Sequence, residues 1–377
     1  MALSEIGDNS GVYVGSLDSP EVKRVLDQPT PAVYAEPGYL LYVNENDLYA
    51  QPFDLDDATT KGQGTLIARG VDYGGQYATG GFSVAQNGTL LYHRWASAPG
   101  TPIVRMSIDG TSETTLVEGV NIDLSRDGAR LAFMRADAQR NSDIWTYDLR
   151  RGISSRVTFE TSEENGPVWS GDGKTIANVA TAATGVSIVT RPSGGGGSQQ
   201  VLLTTGDSWI EVVDWSRDGK TFVAEMDRGA SRLDIVTVDV ASKTITPFAA
   251  TPFVESSGRF SPDGRWIAYR SDESGTPEIY VQPFPATGSK WQISNGGGES
   301  PRWSGDGKRL FYVRNDAMLM SVGVKAGADD FEVGTPATHR RVDSDDIAIT
   351  PDGKEVIVSK RGSRDPQPVV VVSDWRP

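Results

Sequence analysis

One nine-residue segment recurs along the chain as WSGDGKTIA (169–177), WSRDGKTFV (215–223), FSPDGRWIA (260–268) and WSGDGKRLF (303–311). Weaker copies are LSRDGARLA (124–132), ITPDGKEVI (349–357), FSVAQNGTLL (82–91) and AEPGYLLYV (35–43). Their shared glycines are Gly38, Gly88, Gly128, Gly173, Gly219, Gly264, Gly307 and Gly353. These glycines recur at intervals of 40 to 50 residues over nearly the whole sequence. Regular repetition of this kind predicts a repeat architecture, and we predict a single domain over residues 1–377.

The sixth unit shows what one repeat contains. Its strand candidates are SGRFSP (257–262), RWIAYRS (265–271), EIYVQPF (278–284) and KWQIS (290–294). The Asp263-Gly264 pair between two alternating apolar runs predicts a hairpin with a type I′ turn, which requires positive φ at both central residues. Four short strands every ~40–45 residues are typical of a β-propeller blade. We therefore predict an all-β, single β-propeller of four-stranded blades, eight-bladed, with seven blades as the alternative.

Both ends of the chain carry strand candidates that could close the ring. The N-terminal candidates are GVYVGSLD (11–18) and EVKRVL (21–26), and the C-terminal ones are DIAIT (346–350), KEVIVSK (354–360) and VVVVSDW (369–375). Pairing them would remove open sheet edges. We predict that the last blade contains strands from both termini, with five candidates for four places.

The amino-acid composition excludes several kinds of catalytic and metal-binding site. The 377 residues include no Cys and two His, His93 and His339, which excludes disulfides, thiolate chemistry and His-rich metal sites. A net charge of −14 disfavours nucleic acid as a partner. No apolar run is long enough to span a membrane. We expect no cofactor, no bound metal, no membrane insertion and a monomer.

The repeated residues have structural explanations. Asp precedes glycine in six turns but lacks calcium-loop spacing, so we interpret it as turn chemistry. Recurring aromatics at Trp169, Trp215 and Trp303 favour packing between blades over an aromatic ligand cage.

The segments that lead into each innermost strand differ from blade to blade, and they meet at one end of the central channel of a propeller. Loops that converge in this way commonly carry function. We predict a ligand site there for an unknown peptide, protein or glycan, with solvated polar loops as the alternative interpretation. The predicted ligand-binding residues are Tyr73, Tyr77, Glu164, Trp209, Glu211, Glu255, Arg259, Glu299, Arg302 and Asp345.

The [WF]-S-x-D-G-[KR] turn followed by an apolar strand resembles the TolB-like, WD40-like (PD40) propeller repeats. Four longer phrases are similar to the C-terminal propeller region of bacterial serine/threonine protein kinases: NSGVYVGSLDSPEVKRVL (9–26), PGYLLYVNENDLYAQPFD (37–54), NSDIWTYDLRRGISSRVTFE (141–160) and GRFSPDGRWIAYRSDESGTPEIYVQPFP (258–285). The kinase motifs themselves are absent, as is the G-x-S-x-G elbow of hydrolases.

The resemblance implies a non-catalytic binding propeller, the sensor or scaffold part of a signalling protein. The alternative is a carboxylate- or metal-dependent polysaccharide lyase or hydrolase with its site at the channel mouth. Since no signal peptide is visible, we expect a cytoplasmic protein, or an extracytoplasmic one if the chain is a fragment of a membrane-anchored kinase.

Overall fold

The computed structural model describes residues 11–15, 21–27, 30, 32–44, 47–69, 71, 73–74, 79–85, 87–93, 101–137, 141–160, 162–182, 185–206, 209–227, 233–327, 330–360 and 369–376. Every regular element in these ranges is a β-strand, which confirms the all-β prediction. No helix in this part of the chain could cross a membrane. Internal contacts divide the chain into two compact units, Met1–Pro99 with Ser363–Pro377, and Gly100–Gly362. A single domain over residues 1–377 stays a prediction.

In its described residues, the first unit contains four small antiparallel sheets. Their strands are Val12–Gly15 with Val22–Leu26; Ala32–Ala35, Tyr39–Asn44, Asp47–Asp54, Thr59–Thr60 and Thr65–Ala68; Tyr73–Gly74 with Thr79–Gly80; and Phe82–Val84, Leu90–His93 and Val369–Val372. In the last sheet the C-terminal strand pairs with Leu90–His93, and Val372 lies opposite Leu90.

The second unit contains six sheets, which we call blades I to VI, each given from its innermost strand outwards. Blade I comprises Val120–Leu124, Arg130–Ala136, Ser142–Asp148 and Ile153–Arg156; blade II, Glu163–Trp169, Thr175–Ala182, Gly185–Pro192 and Gln200–Gly206; and blade III, Ile210–Trp215, Thr221–Asp227, Leu233–Asp239 and Ile245–Ala249. Blade IV comprises Glu255–Phe260, Trp266–Ser271, Glu278–Pro283 and Trp291–Gln292; blade V, Glu299–Trp303, Arg309–Val313, Met318–Ala326, Phe331–Val333 and Ala337–Arg341; and blade VI, Ile347–Ile349, Glu355–Ser359, Pro102–Ser107 and Glu113–Glu118.

These six blades form a closed ring. The innermost strand of each blade contacts that of the next, and blade VI contacts both blade V and blade I. Each neighbouring pair shares a buried apolar cluster; between blades VI and I it includes Ile103, Leu131 and Ile357. The structure therefore does not confirm eight blades, because the ring of the second unit is complete with six.

The predicted closure has the wrong partners. Residues 347–349 and 355–359 pair with Pro102–Ser107, not with the N-terminal strands, and Ile357 lies opposite Arg105. The strands Val12–Gly15 and Val22–Leu26 form a two-stranded sheet of their own in the first unit. One blade still combines segments that are distant in the sequence, as expected. These segments lie at the two ends of the second unit, residues 100–362, and not at the two ends of the chain. Blade VI becomes a continuous four-stranded sheet because Glu355–Ser359 pairs with Pro102–Ser107. No unpaired strand edge remains where the two segments meet.

All eight repeated glycines have positive φ, between 65° and 83°, in hairpin turns. The turn type is different from the predicted one. In WSGDGKTIA, Gly173 N donates to Ser170 O at 2.9 Å, and Asp172 has negative φ. The turn is therefore a type I turn, and the glycine is its last residue. The Asp172 carboxylate accepts hydrogen bonds from Ser170 Oγ (2.7 Å) and Lys174 N (3.0 Å), which is the expected turn-stabilising role.

The repeated aromatics lie between blades. Trp169 of blade II is 1% exposed, and its indole Nε1 donates to Asp123 O of blade I at 3.1 Å. Trp303 of blade V repeats the contact with Arg259 O of blade IV at 3.2 Å. These contacts confirm the packing interpretation.

Candidate functional site

A β-bulge interrupts the innermost strand in blades I to V. The pairing register shifts between Val120 and Asp123 in blade I, and at the corresponding points of the other four blades. Asn121, Ser257 and Ser300 adopt positive φ of 53° to 59° in three of these bulges. Bulges bend a strand and redirect its side chains. Just beyond the bulge of each blade comes the residue that precedes the repeated aromatic or aliphatic residue.

This residue differs from blade to blade, although the motif after it is repeated. From blade I to blade VI it is Asp123, Val168, Asp214, Arg259, Arg302 and Ala348. Five of the six line a cavity of about 380 Å³ in the channel of the ring, Val168 being the exception. The hairpin turns after the innermost strands surround its opening, which we call the turn end of the channel. Arg126, Arg217, Pro262 and Asp306 contribute from those turns.

Two of the three aspartates of this cavity, Asp123 and Asp214, lie near the ends of innermost strands, and their carboxylates accept hydrogen bonds from protein donors. Asp214 is buried, and it accepts from Trp215 N (2.9 Å), Phe260 N (2.7 Å) and Arg126 Nη2 (2.5 Å). Asp123 accepts from Trp169 N at 2.9 Å. Burial raises the pKa of Asp123, although the charge of Arg126 opposes this effect. These carboxylates connect neighbouring blades to one another.

Two arginines of the cavity, Arg259 and Arg302, are less completely paired. Arg302 donates from Nε to Ile347 O (2.8 Å) and from Nη1 to Pro301 O (2.9 Å). Arg259 donates from Nη1 to Val213 O and to Gly258 O. Within the described ranges, neither guanidinium has a carboxylate oxygen within ion-pair distance. Burial, followed by repulsion from Arg259, lowers the pKa of Arg302 to about 9.

The opposite end of the channel, where the lead-in segments enter, is narrow and carries charges of both signs. A cavity of about 100 Å³ lies there, and Glu211 and Asp346 line it together with Arg259 and Arg302. Burial, followed by repulsion from Glu225, raises the pKa of Glu211 to about 7. Asp346 accepts from Ile122 N at 3.0 Å, while its buried Oδ2 has no hydrogen-bond partner among the described atoms.

The structure brings three of the predicted ligand-binding residues together. Glu211, Arg259 and Arg302 all line the channel. Trp209 is half-buried at the start of blade III, and its carbonyl accepts from Asp227 N. Of Tyr73 the structure describes the backbone, in the strand Tyr73–Gly74, and Tyr77 lies outside the described residues.

Three of the four remaining predicted carboxylates, those of Glu164, Glu255 and Glu299, contact protein donors. Buried Glu164 accepts from Ser162 Oγ at 2.8 Å and also from Asn178, and buried Glu255 accepts from Thr251. Glu299 Oε2 lies 2.7 Å from Arg270 Nε. Asp345 is exposed, and its backbone oxygen accepts from Ser300 Oγ. These four carboxylates do not line the cavities of the channel.

Four residues that line these cavities were not predicted from the sequence: Asp123, Arg126, Asp214 and Asp346. Asp123 and Asp214 end the lead-in segments EGVNID (118–123) and DSWIEVVD (207–214). Their signal was a variable residue directly before an otherwise constant motif. The arginines at the same motif position, Arg259 and Arg302, were selected. Within the described ranges, the structure contains no group of three or more His, Asp or Glu side chains arranged to hold a metal ion.

Comparison with known proteins agrees with this fold. Residues 210–375 match the TolB beta propeller domain family, PD40. Putative TolB from Agrobacterium tumefaciens is 19% identical with a TM-score of 0.53, over 68% of this chain and 96% of that one. TolB from Acinetobacter baumannii is 16% identical with a TM-score of 0.50, over 82% of each chain. The chain therefore has a TolB-like β-propeller fold.

A curated relative is named "Uncharacterized peptidase YuxL" in Bacillus subtilis (strain 168). It is 23% identical over 218 residues, which are 45% of this chain and 32% of that protein. The chain thus matches about a third of the length of this relative.

Proposed function

We propose that the six-bladed ring is a non-catalytic binding module whose ligand site is the turn-end cavity of its channel. One observation carries the proposal: the inner-strand position directly before the repeated motif varies from blade to blade, and it lines this cavity in five of the six blades. Positions inside the motif are occupied by turn and packing functions. Variation at the cavity wall is therefore where specificity for a ligand can arise. The sequence placed the site at the lead-in end, and two of its residues, Arg259 and Arg302, also face the turn end.

The proposed role as sensor or scaffold of a signalling protein is consistent with this site. A cavity of about 380 Å³ lies within the size range of small-molecule pockets. Asp123 and Asp214 bridge blades and Asp306 stabilises its own turn, which leaves these carboxylates poorly suited to proton transfer. A peptide, protein segment or glycan would enter past the turns.

A carboxylate-dependent enzyme is the alternative, and one observation favours it. The raised pKa of Glu211, about 7, is suited to a general acid or base at neutral pH. Its cavity of about 100 Å³ is small for a sugar unit or a peptide bond with its neighbours. Turnover of acidic polysaccharides or peptides that disappears in Glu211→Gln would establish this alternative.

The binding proposal is tested by blocking the cavity. Pro262 lies in a turn at the opening, so Pro262→Trp places an indole there without changing a core position. A thermal-shift screen of small molecules, peptides and oligosaccharides identifies ligands of the full chain. We expect their affinity to fall at least about tenfold in Pro262→Trp. Ala241→Trp, in an exposed turn of blade III, is the control and keeps full affinity. Unchanged affinity in Pro262→Trp contradicts the proposal.

A further inference from the structure

Four arginines line the turn-end cavity. They are Arg126, Arg217, Arg259 and Arg302. Three aspartates line the same cavity, Asp123, Asp214 and Asp306. The cavity thus has four positive and three negative side chains, which nearly balance. Whether a ligand meets positive or negative charge depends on which of these side chains already form hydrogen bonds within the protein.

The aspartates are turned towards protein donors. Asp214 accepts from two backbone N–H groups and from Arg126. Asp306 accepts from Ser304 Oγ (2.6 Å) and Lys308 N (3.0 Å) within its own turn. Asp123 accepts from a backbone N–H of the next blade. Arg126 is neutralised by Asp214, at 2.5 Å.

The other three arginines keep donors that no described atom accepts. A guanidinium has five N–H groups. Arg302 uses Nε and Nη1, and Arg259 uses Nη1, in each case towards backbone carbonyls. Arg217 is exposed at the opening and forms no hydrogen bond or ion pair with any residue that the structure describes. Thus Nη2 of Arg302, Nε and Nη2 of Arg259, and the whole Arg217 group remain available.

The two inner guanidinium groups also repel each other. They lie on adjacent blades, IV and V, and the charge of Arg259 contributes to the lowered pKa of Arg302. Two neighbouring cations with free donors in a partly desolvated channel are stabilised by a bound anion, and arginine binds carboxylate and phosphate oxygens in pairs.

Aromatic surface adjoins these donors. Phe260 and Trp303 line the same cavity. Trp303 and Pro262 also line a second cavity of about 630 Å³, which reaches Trp266. A ligand that occupies both cavities would place an apolar part beside Trp303.

We propose that the turn-end cavity binds an organic oxyanion, with its carboxylate or phosphate group between Arg259 and Arg302 and its apolar part against Trp303. This inference rests on the proposed function and specifies its ligand class. Arg217 contributes at the opening.

Three matched probes test the inference on the full chain by isothermal titration calorimetry: phenylacetate, phenyl phosphate and neutral phenylacetamide. We expect one or both anions to bind and phenylacetamide to bind at least about tenfold more weakly. Comparing phenylacetate with phenyl phosphate shows whether the cavity prefers a carboxylate or a phosphate group. Arg259→Met and Arg302→Met should each weaken the bound anion at least about tenfold. Arg217→Met, which removes no contact with a described residue, should weaken it by about twofold to fivefold.

Arg151→Met is the matched control, because Arg151 is exposed on the outer side of blade I and pairs with Asp148. It should leave anion affinity unchanged. Equal affinity for phenylacetamide and the anions overturns the inference, as does the failure of both anions to bind. Affinity within about twofold of wild type in folded Arg259→Met, Arg302→Met and Arg217→Met also overturns it. If neutral ligands still lose affinity in Pro262→Trp, the binding proposal stands without the anion inference.

Discussion

Arg126 and Asp214 join blades I and III across the channel. Arg126 Nη2 lies 2.5 Å from Asp214 Oδ1 and also donates to Trp215 O at 3.1 Å. Blade II separates these two blades in the ring. The side chain of Arg126 therefore bridges blades that are not neighbours. The same aspartate accepts from Phe260 N of blade IV at 2.7 Å, so one carboxylate connects three blades.

Removing this carboxylate should destabilise the ring strongly. Asp214→Ala leaves two backbone N–H groups and the Arg126 guanidinium without their acceptor. Breaking a buried pair in this way costs about 3–5 kcal/mol of unfolding free energy. Urea unfolding followed by tryptophan fluorescence measures the change. Asp316→Ala, which removes an exposed partner of Arg314, is the control and should leave the midpoint nearly unchanged. A similarly small change in Asp214→Ala would show that the bridge is unimportant.

The repeated turns should make the protein sensitive to acid. In four turns the hydroxyl of the preceding Ser or Thr is the largest cause of a lowered carboxylate pKa; the residues are Asp127, Asp218, Asp306 and Asp352. A carboxylate with a lowered folded pKa contributes stability above its unfolded pKa of about 3.9, and that contribution is lost as pH falls through the folded pKa.

Asp306→Asn tests this dependence in one turn. The amide oxygen can still accept from Ser304 Oγ, but it does not titrate. We expect the stability lost between about pH 5 and pH 3 to be smaller in Asp306→Asn than in the wild type. Urea midpoints at both pH values measure it. Equal losses in the two proteins would mean that Asp306 does not contribute to acid unfolding.

The repeat predicted the local structure of the chain better than its assembly. All eight glycine anchors lie in hairpin turns because positive φ at glycine is a local property. Membership of a ring is decided by pairing between distant segments. Gly38 and Gly88 have positive φ like the other six, yet they lie in the first unit. Likewise, no local pattern shows that Ile357 pairs with Arg105.

The part of the site that could be predicted from the sequence consists of charged residues in segments that differ from blade to blade. Arg259 and Arg302 were identified because they are charged residues in variable segments. The bulges that redirect the inner strands were not predictable, because Asn121, Ser257 and Ser300 adopt positive φ without being glycine. Glu255 does not line the two cavities described above; its carboxylate accepts hydrogen bonds from Thr251, a contact that depends on the loop conformation.

The C-terminal tryptophan should be important for the first unit. Trp375 is 5% exposed, packs edge-on against Tyr39, and donates from Nε1 to Gly88 O at 2.7 Å. Trp375→Ala should cost about 3–5 kcal/mol through loss of buried ring contacts. Trp375→Phe keeps an aromatic ring and loses the hydrogen bond, so it should cost less. Urea unfolding followed by circular dichroism compares the two. Equal costs for both variants would contradict the packing argument.

Glu211 should make the ring less stable as the pH rises from about 4 to about 7. Its folded pKa is about 7 because of burial and the nearby Glu225, and the unfolded value is about 4.3. Between these values the folded state binds one proton more than the unfolded state, so the free energy of unfolding falls with rising pH. Glu211→Gln removes this dependence. We expect the variant to match the wild type near pH 4 and to be more stable near pH 8, as measured by urea unfolding. Glu332→Gln, an exposed residue paired with Lys325, controls for the loss of one charge. If the difference between Glu211→Gln and the wild type is the same at both pH values, Glu211 does not titrate in this window.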